Sequence, residues 1–274
     1  MSTAELGGIK VGGGKVAIIG AINLSPNSFY PGSIARSPRE ALKRAEQMLA
    51  EGADLVDVGA MSTRPGAKAI PLSLELKRLL PTVKLLTKRI KAPISVDTQR
   101  AEVARAVLEA GAEVINDVSG LKTDPAMAEV LADFKCSAIL MAARERPGDV
   151  RSMHEIKREL GLSLRICKAH GIRLRKVLVD PGIGFGKGAK WDLRILARLE
   201  ELKSLWRPIC VAVSRKSFIG EVLGLPNPSL RLWGSLAATA IAVLHGAEAI
   251  RTHDPKETRH ASLMAQAIRS EAIK

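Results

Sequence analysis

The sequence repeats one pattern along nearly its whole length: a short run rich in valine and isoleucine, followed by a stretch with helical periodicity. Short apolar runs bounded by turn residues predict buried strands, and apolar positions three and four apart predict helices. The predicted strands are 16–23, 54–59, 94–97, 113–117, 136–141, 176–180, 209–214 and 248–252. The predicted helices are 37–51, 73–90, 100–110, 125–134, 151–170, 190–204, 228–245 and 256–271.

Regular alternation of strands and helices predicts a parallel sheet whose strands are joined by helical crossovers. Eight such units with no linker predict one (β/α)8 TIM barrel, a fold of about 250 residues. We therefore interpret residues 1–274 as a single domain, with 1–15 as an N-terminal extension. A doubly wound open sheet is the alternative, but it would need a glycine-rich turn after the first strand. This chain has Asn23-Leu24-Ser25-Pro26-Asn27 there.

Composition excludes several other classes of protein. The net charge is +14, but the basic residues are spread along the predicted helices and aromatic residues make up only 3%. This argues against nucleic-acid binding as the main role. Cys136, Cys167 and Cys210 form no C-x-x-C pair, which argues against a disulfide framework and a structural zinc site. The sequence has neither a signal-peptide core nor an apolar run of about 18 residues, so we expect no membrane span and a cytoplasmic location.

Polar side chains stand at the ends of the predicted strands, where the active sites of barrels form. Every predicted strand but the fifth ends in such residues. They are Asn23, Asp57, Asp97, Asn116, Asp180, Ser214-Arg215-Lys216-Ser217, Arg251 and His253. Helix capping would explain a single one of them, but capping does not use lysine or arginine. We therefore interpret the set as one site.

The candidate residues divide by chemistry into two groups. Carboxylates, an amide and an ammonium suit the edge of a flat heterocycle with alternating donors and acceptors. These residues are Asp97, Asn116, Asp180 and Lys216. Cationic donors suit a phosphorylated group. These residues are Arg64, Arg251 and His253. Asn23 supplies an oxygen ligand that would help to hold Mg²⁺ on phosphates.

Other polar residues have structural interpretations. Asp57 lies inside a strand, and the sequence leaves open whether it is a buried structural carboxylate or contacts a ligand. Asp117 points away from Asn116 by strand alternation and is expected either to support a site residue from behind or to act as a capping group. His154, His170 and His260 fall in helical patterns and are not expected to be catalytic. The segment 182–188 resembles a phosphate loop but lacks the Walker A spacing.

Seven segments together resemble dihydropteroate synthases over about residues 16–271. They are INLSPNSF (22–29), DVGAMSTRPGA (57–67), SVDT (95–98), INDVSG (115–120), DPGIGFGK (180–187), VSRKSFIG (213–220) and IRTHDPKET (250–258). The resemblance implies a barrel, usually dimeric. It also implies Mg²⁺-dependent joining of 6-hydroxymethyl-7,8-dihydropterin pyrophosphate to p-aminobenzoate, with release of pyrophosphate.

The resemblance also implies roles for matching positions. The pterin would be held by Asp97, Asn116, Asp180 and Lys216. The pyrophosphate would be held by Asn23, Arg64, Arg251 and His253, with Asn23 acting through Mg²⁺. The arylamine would be framed by Thr63, Pro65, Phe185 and Ser217. We expect an SN1-like displacement whose catalytic residues are Asp97, Lys216, Arg251 and His253.

The chain departs from the family in its loops. The first loop usually reads T-P-D-S-F-S-D-G-G, and Asn27 and Pro31 replace its two aspartates here. Met61 stands where the family usually has glutamate, and Arg144 and Arg146 follow the fifth strand. The arylamine is then either p-aminobenzoate or a larger or phosphorylated one, as in a methanopterin-type pathway. A methyltransferase-like or non-catalytic pterin-binding homologue and a nucleic-acid-binding barrel are the other classes left open.

Overall fold

A computed structural model describes residues 2–25, 30–61 and 69–272. In this part of the chain, eight parallel strands close into a barrel in the order β10-β3-β4-β5-β6-β7-β8-β9. They are β3 (Ala17–Asn23), β4 (Leu55–Gly59), β5 (Ile94–Asp97), β6 (Val114–Asp117), β7 (Ser137–Met141), β8 (Val177–Asp180), β9 (Ile209–Val211) and β10 (Ala247–Thr252). The predicted (β/α)8 barrel is confirmed.

Helices pack around the barrel. In the described residues they are α1 (Pro38–Ala50), α2 (Leu72–Arg89), α3 (Ala101–Glu109), α4 (Met127–Phe134), α5 (Met153–Ala169), α6 (Ala189–Ala197), α7 (Ser217–Leu223), α8 (Leu232–Leu244) and α9 (Pro255–Glu271). The predicted cap of the first helix is confirmed: Ser37 precedes Pro38, and its hydroxyl accepts a hydrogen bond from the Glu40 N–H at 3.2 Å.

Strand alternation divides the core into two layers. On β4, Val56 and Val58 point outward and pack in the large cluster between strands and helices. Leu55 points inward and belongs to a smaller cluster inside the barrel. Because side chains alternate with a period of two, Asp57 also points inward, one step closer to the carboxyl end of the strand. The same alternation brings the polar strand ends together in the barrel mouth.

Two predicted helices differ from the structure in their regularity. The predicted helix 190–204 is α6 followed by a 3-10 helix, Leu199–Leu205. Leu199, Leu202 and Leu205 are spaced by three, which suits the three-residue turn of a 3-10 helix. The predicted helix 228–245 likewise begins with a 3-10 turn, Pro228–Arg231. The short helix α7 was not predicted at all.

The predicted N-terminal extension contains an antiparallel hairpin, β1 (Thr3–Leu6) and β2 (Ile9–Gly12). Gly7 and Gly8 form its two-residue turn with φ of 56° and 83°, a conformation that glycine adopts without strain. Leu6 and Val11 are fully buried and join the inner cluster of the barrel. The hairpin therefore closes the end of the barrel opposite the polar mouth.

One side chain fastens this hairpin to the barrel. The Ser137 hydroxyl on β7 accepts a hydrogen bond from the Gly7 N–H at 3.1 Å and donates one to the Glu5 carbonyl at 2.9 Å.

Of the helices in the described residues, none is long and apolar enough to span a bilayer.

We expect the Leu6→Ala substitution to lower the free energy of unfolding by about 2–5 kcal/mol, because it leaves a cavity in the barrel floor. Lys10→Ala, on the exposed side of the same hairpin, is the matched control and should change it by less than about 0.5 kcal/mol. Denaturant unfolding of both variants measures the difference. Equal stabilities would show that the hairpin contributes nothing to the core.

Candidate active site

A buried carboxylate organises the barrel mouth. Asp57 has no solvent exposure, and its Oδ2 accepts a hydrogen bond from Arg251 Nε at 2.7 Å. The same oxygen lies 3.3 Å from Asn116 Nδ2, and Oδ1 accepts a hydrogen bond from the Ser95 hydroxyl at 2.5 Å. Asp57 therefore connects four strands, β4, β5, β6 and β10. Of the two interpretations left open by the sequence, the structural one describes its contacts.

Asp97 is the most unusual acid of the mouth. Arg251 Nη2 lies 3.6 Å from its Oδ2, while its Oδ1 is buried and has no hydrogen-bond partner among the described residues. Burial raises the pKa of Asp97 to about 7 against the attraction of Arg251, and the nearby charges of Asp57 and Glu75 raise it further. An unpaired buried acceptor is costly, so this oxygen is suited to receive a donor from a ligand.

Asp180 and Lys216 form the opposite wall. Asp180 Oδ1 accepts a hydrogen bond from the Gly182 N–H at 2.7 Å, and burial raises the pKa of this acid although Lys216 counteracts the effect. Burial also lowers the pKa of Lys216 to about 8. Its ammonium group donates to the Ile183 carbonyl and lies 4.5 Å from the centroid of the Phe185 ring. This places Phe185 beside the predicted pterin residues.

His253 differs from the expected cationic donor. Burial and then the positive charge of Arg251 lower its pKa to about 4, so the ring is neutral at neutral pH. Its Nδ1 lies 3.2 Å from the carbonyl oxygen of Ala21, which can only accept a hydrogen bond. The proton therefore sits on Nδ1, and Nε2 is an acceptor.

Asn23 lies at the end of β3, and its amide is oriented by a hydroxyl group. Its Nδ2 donates to Ser33 Oγ at 2.7 Å. Ser33 in turn donates to the Tyr30 carbonyl at 2.6 Å. Among the described residues, no cluster of three or more histidines, cysteines or acids could hold a metal by itself.

The remaining predicted site residues fall outside this group. Thr63, Arg64 and Pro65 lie outside the described residues, as does Asn27. Ser217 begins α7 and is exposed.

The capping role predicted for Asp117 is confirmed, because this residue accepts hydrogen bonds from the N–H groups of residues 119 and 121 at 2.8 and 2.7 Å.

Arg215 was part of the polar strand end, but the structure gives it an architectural role. Its Nε and Nη2 donate to the two oxygens of Asp254 at 2.9 and 2.7 Å. Its Nη1 donates to the carbonyls of Pro228 and Ser229 at 3.1 and 2.7 Å. A guanidinium with its edges occupied in this way is a fixed support rather than a free ligand for an anion.

Sequence reasoning missed three residues that shape the mouth: Ser95, Ser33 and Tyr30. For Ser95 a signal was available, because it precedes Asp97 by two residues and must face the same side of the strand. For Ser33 and Tyr30 no such signal exists, since they lie in a loop whose path is not periodic. His154 and His260 lie in α5 and α9 as the helical pattern predicts, His170 follows the end of α5, and all three are exposed.

The mouth therefore has two chemical sides. Buried acids, an amide and an ammonium can form hydrogen bonds with a flat heterocycle whose edge carries donors and acceptors. Arg251, with His253 and Asn23, forms a second side that can accommodate an anionic group. Such a division suits one substrate that has a neutral heterocycle at one end and a charged leaving group at the other.

Comparisons with known proteins agree with this chemistry. The sequence model of the family described as "Pterin binding enzyme" matches residues 19–253, which include every strand end of the site. The dihydropteroate synthase of Synechocystis sp. is 36% identical over 263 residues, covering 93% of this chain and 91% of that protein.

Two solved structures are similar over their whole length. Yersinia pestis dihydropteroate synthase, in a sulfonamide drug complex, has a TM-score of 0.90 and 35% identity, covering 98% of this chain and 99% of that one. A dihydropteroate synthase from Coxiella burnetii, in complex with pteroic acid, has a TM-score of 0.88 and 36% identity, covering 99% and 100%.

The raised pKa of Asp97 predicts a pH dependence of stability. Its pKa rises from 3.8 to about 7 on folding, so the folded state favours the protonated acid. Its contribution is fully present below pH 3.8 and is lost as the pH rises through about 7. Asp97→Asn mimics the neutral acid. The unfolding free energy of this variant minus that of the wild type should therefore increase over this range, by at most about 1.4 kcal/mol per pH unit.

Denaturant unfolding of both proteins at a series of pH values measures this difference. All other titrating groups are common to the two proteins and largely cancel. A difference that stays constant between pH 4 and pH 7 would mean that Asp97 is already ionised in the folded protein.

Proposed function

The chain belongs to the dihydropteroate synthase family, and from this premise we propose how its barrel condenses 6-hydroxymethyl-7,8-dihydropterin pyrophosphate with p-aminobenzoate. The products are 7,8-dihydropteroate and pyrophosphate, so the enzyme is a transferase of folate biosynthesis. The relative from Coxiella burnetii is in complex with pteroic acid, in which a pterin is joined to p-aminobenzoate. This ligand supports the same pair of substrates here.

The observation that carries the assignment of the pterin side is the unpartnered oxygen of Asp97. A pterin edge carries N–H donors next to acceptors, and a buried carboxylate oxygen without a partner among the described residues is complementary to such a donor. Asn116, Asp180 and Lys216 complete this side of the mouth. Lys216 supplies the ammonium donor for an acceptor of the ring.

The pyrophosphate side is assigned to Arg251, His253 and Asn23, with Arg64 from the segment outside the described residues. Among the described residues, Arg251 gives one of its five N–H donors to Asp57, so others are available to phosphate oxygens. A pyrophosphate beside His253 would raise the pKa of the imidazole, because a negative charge favours the protonated ring. Nε2 would then take up the proton and donate to a phosphate oxygen.

Mg²⁺ fits this side as an ion that is held mainly by the substrate. Mg²⁺ keeps most of its waters and needs few protein ligands, and Asn23 offers one amide oxygen in an orientation set by Ser33. When bound, Mg²⁺ would neutralise part of the negative charge that develops on the leaving pyrophosphate.

The chemical step is a substitution at the methylene carbon of the pterin. The bond between this carbon and the pyrophosphate oxygen breaks first, and the electron pair leaves with pyrophosphate beside Arg251. The remaining pterin cation favours the ionised forms of Asp97 and Asp180, and their carboxylates stabilise it. The nitrogen of the arylamine then forms its bond to the methylene carbon and loses one proton to solvent. Phe185 and Ser217, with Thr63 and Pro65, orient the amine.

The contacts of Arg144 bear on the alternative arylamine. Its Nη2 lies 2.9 Å from Glu155 Oε1, and its Nε lies 3.7 Å from Glu159 Oε1. The added charge of this residue is thus compensated within the chain. Arg144 is therefore not available to bind the phosphate of a phosphorylated arylamine, which leaves only Arg146 of the two added arginines. This supports p-aminobenzoate as the substrate.

Steady-state release of pyrophosphate from the pterin substrate tests this function. We expect release to require both Mg²⁺ and p-aminobenzoate. Lys216→Ala should lower kcat/KM by about 10- to 100-fold, since it removes a charged hydrogen-bond donor from a buried site. Lys190→Ala, an exposed lysine near the same loop, is the matched control. Absence of release from a wild-type sample that binds the pterin substrate would contradict the proposed reaction.

We also propose a homodimer. Helices α8 and α9 pack against each other and, with the turn before α8, carry large apolar side chains that are exposed. These side chains are Leu230, Trp233, Ile241, Leu263, Met264 and Ile268. Exposed apolar groups of this size mark interaction surfaces, and a two-fold arrangement buries the same surface on both subunits.

The three cysteines are free and buried, which supports a reducing, cytoplasmic location.

Trp233→Glu should convert the dimer to a monomer, because it places a charge on this apolar surface. Trp206→Glu is the matched control: Trp206 is 72% exposed and Trp233 77%, but Trp206 follows the 3-10 helix before β9 and belongs to neither α8 nor α9. Sedimentation velocity distinguishes the two states. A monomeric wild type, or a dimeric Trp233→Glu variant, would contradict this interface.

A further inference from the structure

Tyr30 lies just after the segment that follows β3, and its backbone is connected to the proposed Mg²⁺ ligand. Its carbonyl oxygen accepts hydrogen bonds from the Ser33 N–H at 3.0 Å and from the Ser33 hydroxyl at 2.6 Å. The Ser33 hydroxyl in turn accepts a hydrogen bond from Asn23 Nδ2 at 2.7 Å. The position of the Tyr30 carbonyl therefore sets the orientation of the Asn23 amide.

The ring of Tyr30 is packed between two side chains of other elements. The guanidinium carbon of Arg215 lies 4.5 Å from its centroid. The centroid of the His253 imidazole lies 5.5 Å away, with the two ring planes inclined by 49°. A cation over an aromatic face and a tilted ring pair are both attractive arrangements. The tyrosine ring thus forms a bridge between Arg215 and His253.

The space for this ring is limited by its own loop. A Cβ atom added at Gly32 would come within 2.6 Å of the Tyr30 hydroxyl oxygen, so the ring lies directly on the glycine backbone. Arg215, which contacts the same ring, is immobilised by Asp254 and by two carbonyls of the turn before α8. The Arg215 backbone N–H also donates to Ser235 Oγ at 2.8 Å. The ring therefore rests on a rigid support.

We propose that Tyr30 is a positioning residue for the pyrophosphate side of the site. Its ring holds the imidazole of His253, and its carbonyl holds Asn23 through Ser33. The inference deepens the proposed function and rests on it for the identity of the anion. Tyr30 would thus set the position of Asn23, at the end of β3, relative to that of His253, which follows β10.

Substitution of Tyr30 separates the role of the ring from that of the carbonyl. Tyr30→Leu removes both ring contacts but leaves the backbone carbonyl in place. We expect it to raise the KM of the pterin pyrophosphate and the Kd of inorganic pyrophosphate with Mg²⁺ by about three- to tenfold. The KM of p-aminobenzoate should not change. Tyr30→Phe keeps the ring and should restore both values.

Ser33→Ala tests the second connection. It breaks the hydrogen bonds from Asn23 and to the Tyr30 carbonyl, while the ring contacts are retained. We expect it to weaken the Mg²⁺-dependent part of pyrophosphate binding and to leave binding without Mg²⁺ unchanged. Calorimetric titration of inorganic pyrophosphate, with and without Mg²⁺, measures both.

A spectroscopic measurement on the unmutated sequence completes the test, because the chain has a single tyrosine. Protein labelled with 3-fluorotyrosine gives one tyrosine fluorine resonance, which reports on the Tyr30 ring. Inorganic pyrophosphate should shift this resonance, whereas p-aminobenzoate alone should not. This readout does not depend on the folding of any variant.

The outcomes separate this inference from the proposed function. If the wild type turns over but Tyr30→Leu leaves the pyrophosphate Kd and the pterin KM unchanged, the positioning role is wrong and the function stands. The role is also wrong if Tyr30→Phe is as impaired as Tyr30→Leu, or if pyrophosphate does not shift the fluorine resonance. If the wild type binds pyrophosphate and shifts the resonance without turnover, the positioning role stands and the proposed reaction fails.

Discussion

The ion pair between Asp57 and Arg251 is the interaction on which the mouth of the barrel depends. A carboxylate with no solvent exposure is very unfavourable unless its charge and its lone pairs are satisfied. Here a guanidinium, a hydroxyl and an amide from three other strands satisfy it. The same contacts hold Arg251 and Asn116, so the orientation of two predicted site residues is set by Asp57.

Burial changes the electrostatics of this site from what formal charges suggest. It raises the pKa of Asp97 and lowers those of Lys216 and His253, which moves all three groups toward their neutral forms. Without substrate the mouth therefore holds less charge than its composition implies. Polar and ionic groups of a bound substrate would favour the charged forms, which would link binding to the uptake or release of protons.

The sequence predicts the architecture well because each strand and helix has its own periodic pattern. It also locates Asp97, Asn116, Asp180, Lys216, Arg251 and His253 at one end of the barrel, since all are fixed by strand ends. It does not predict that His253 is neutral. The pKa of this imidazole is lowered by burial and by the positive charge of Arg251, and the sequence does not show how deeply the ring is buried. It also missed the hairpin, although Gly7-Gly8 between short apolar strands is a recognisable turn signal.

The residues that the sequence could not supply are those placed by loops. Tyr30 contacts Arg215 and His253, which follow other strands far along the chain, and nothing periodic connects these positions. The role of Arg215 illustrates the same limit: at a strand end its type suggests anion binding. Its partner Asp254 and the carbonyls of residues 228 and 229 become visible only in three dimensions.

The hairpin at the barrel floor has a consequence for the order of folding. It precedes every barrel strand in the sequence, yet Ser137, which fastens it, lies 130 residues from Gly7 along the chain. The cluster that receives Leu6 and Val11 also includes Ala249, on the last strand. The floor therefore closes only after the whole barrel has assembled, and the loop-closure entropy of this contact is overcome late.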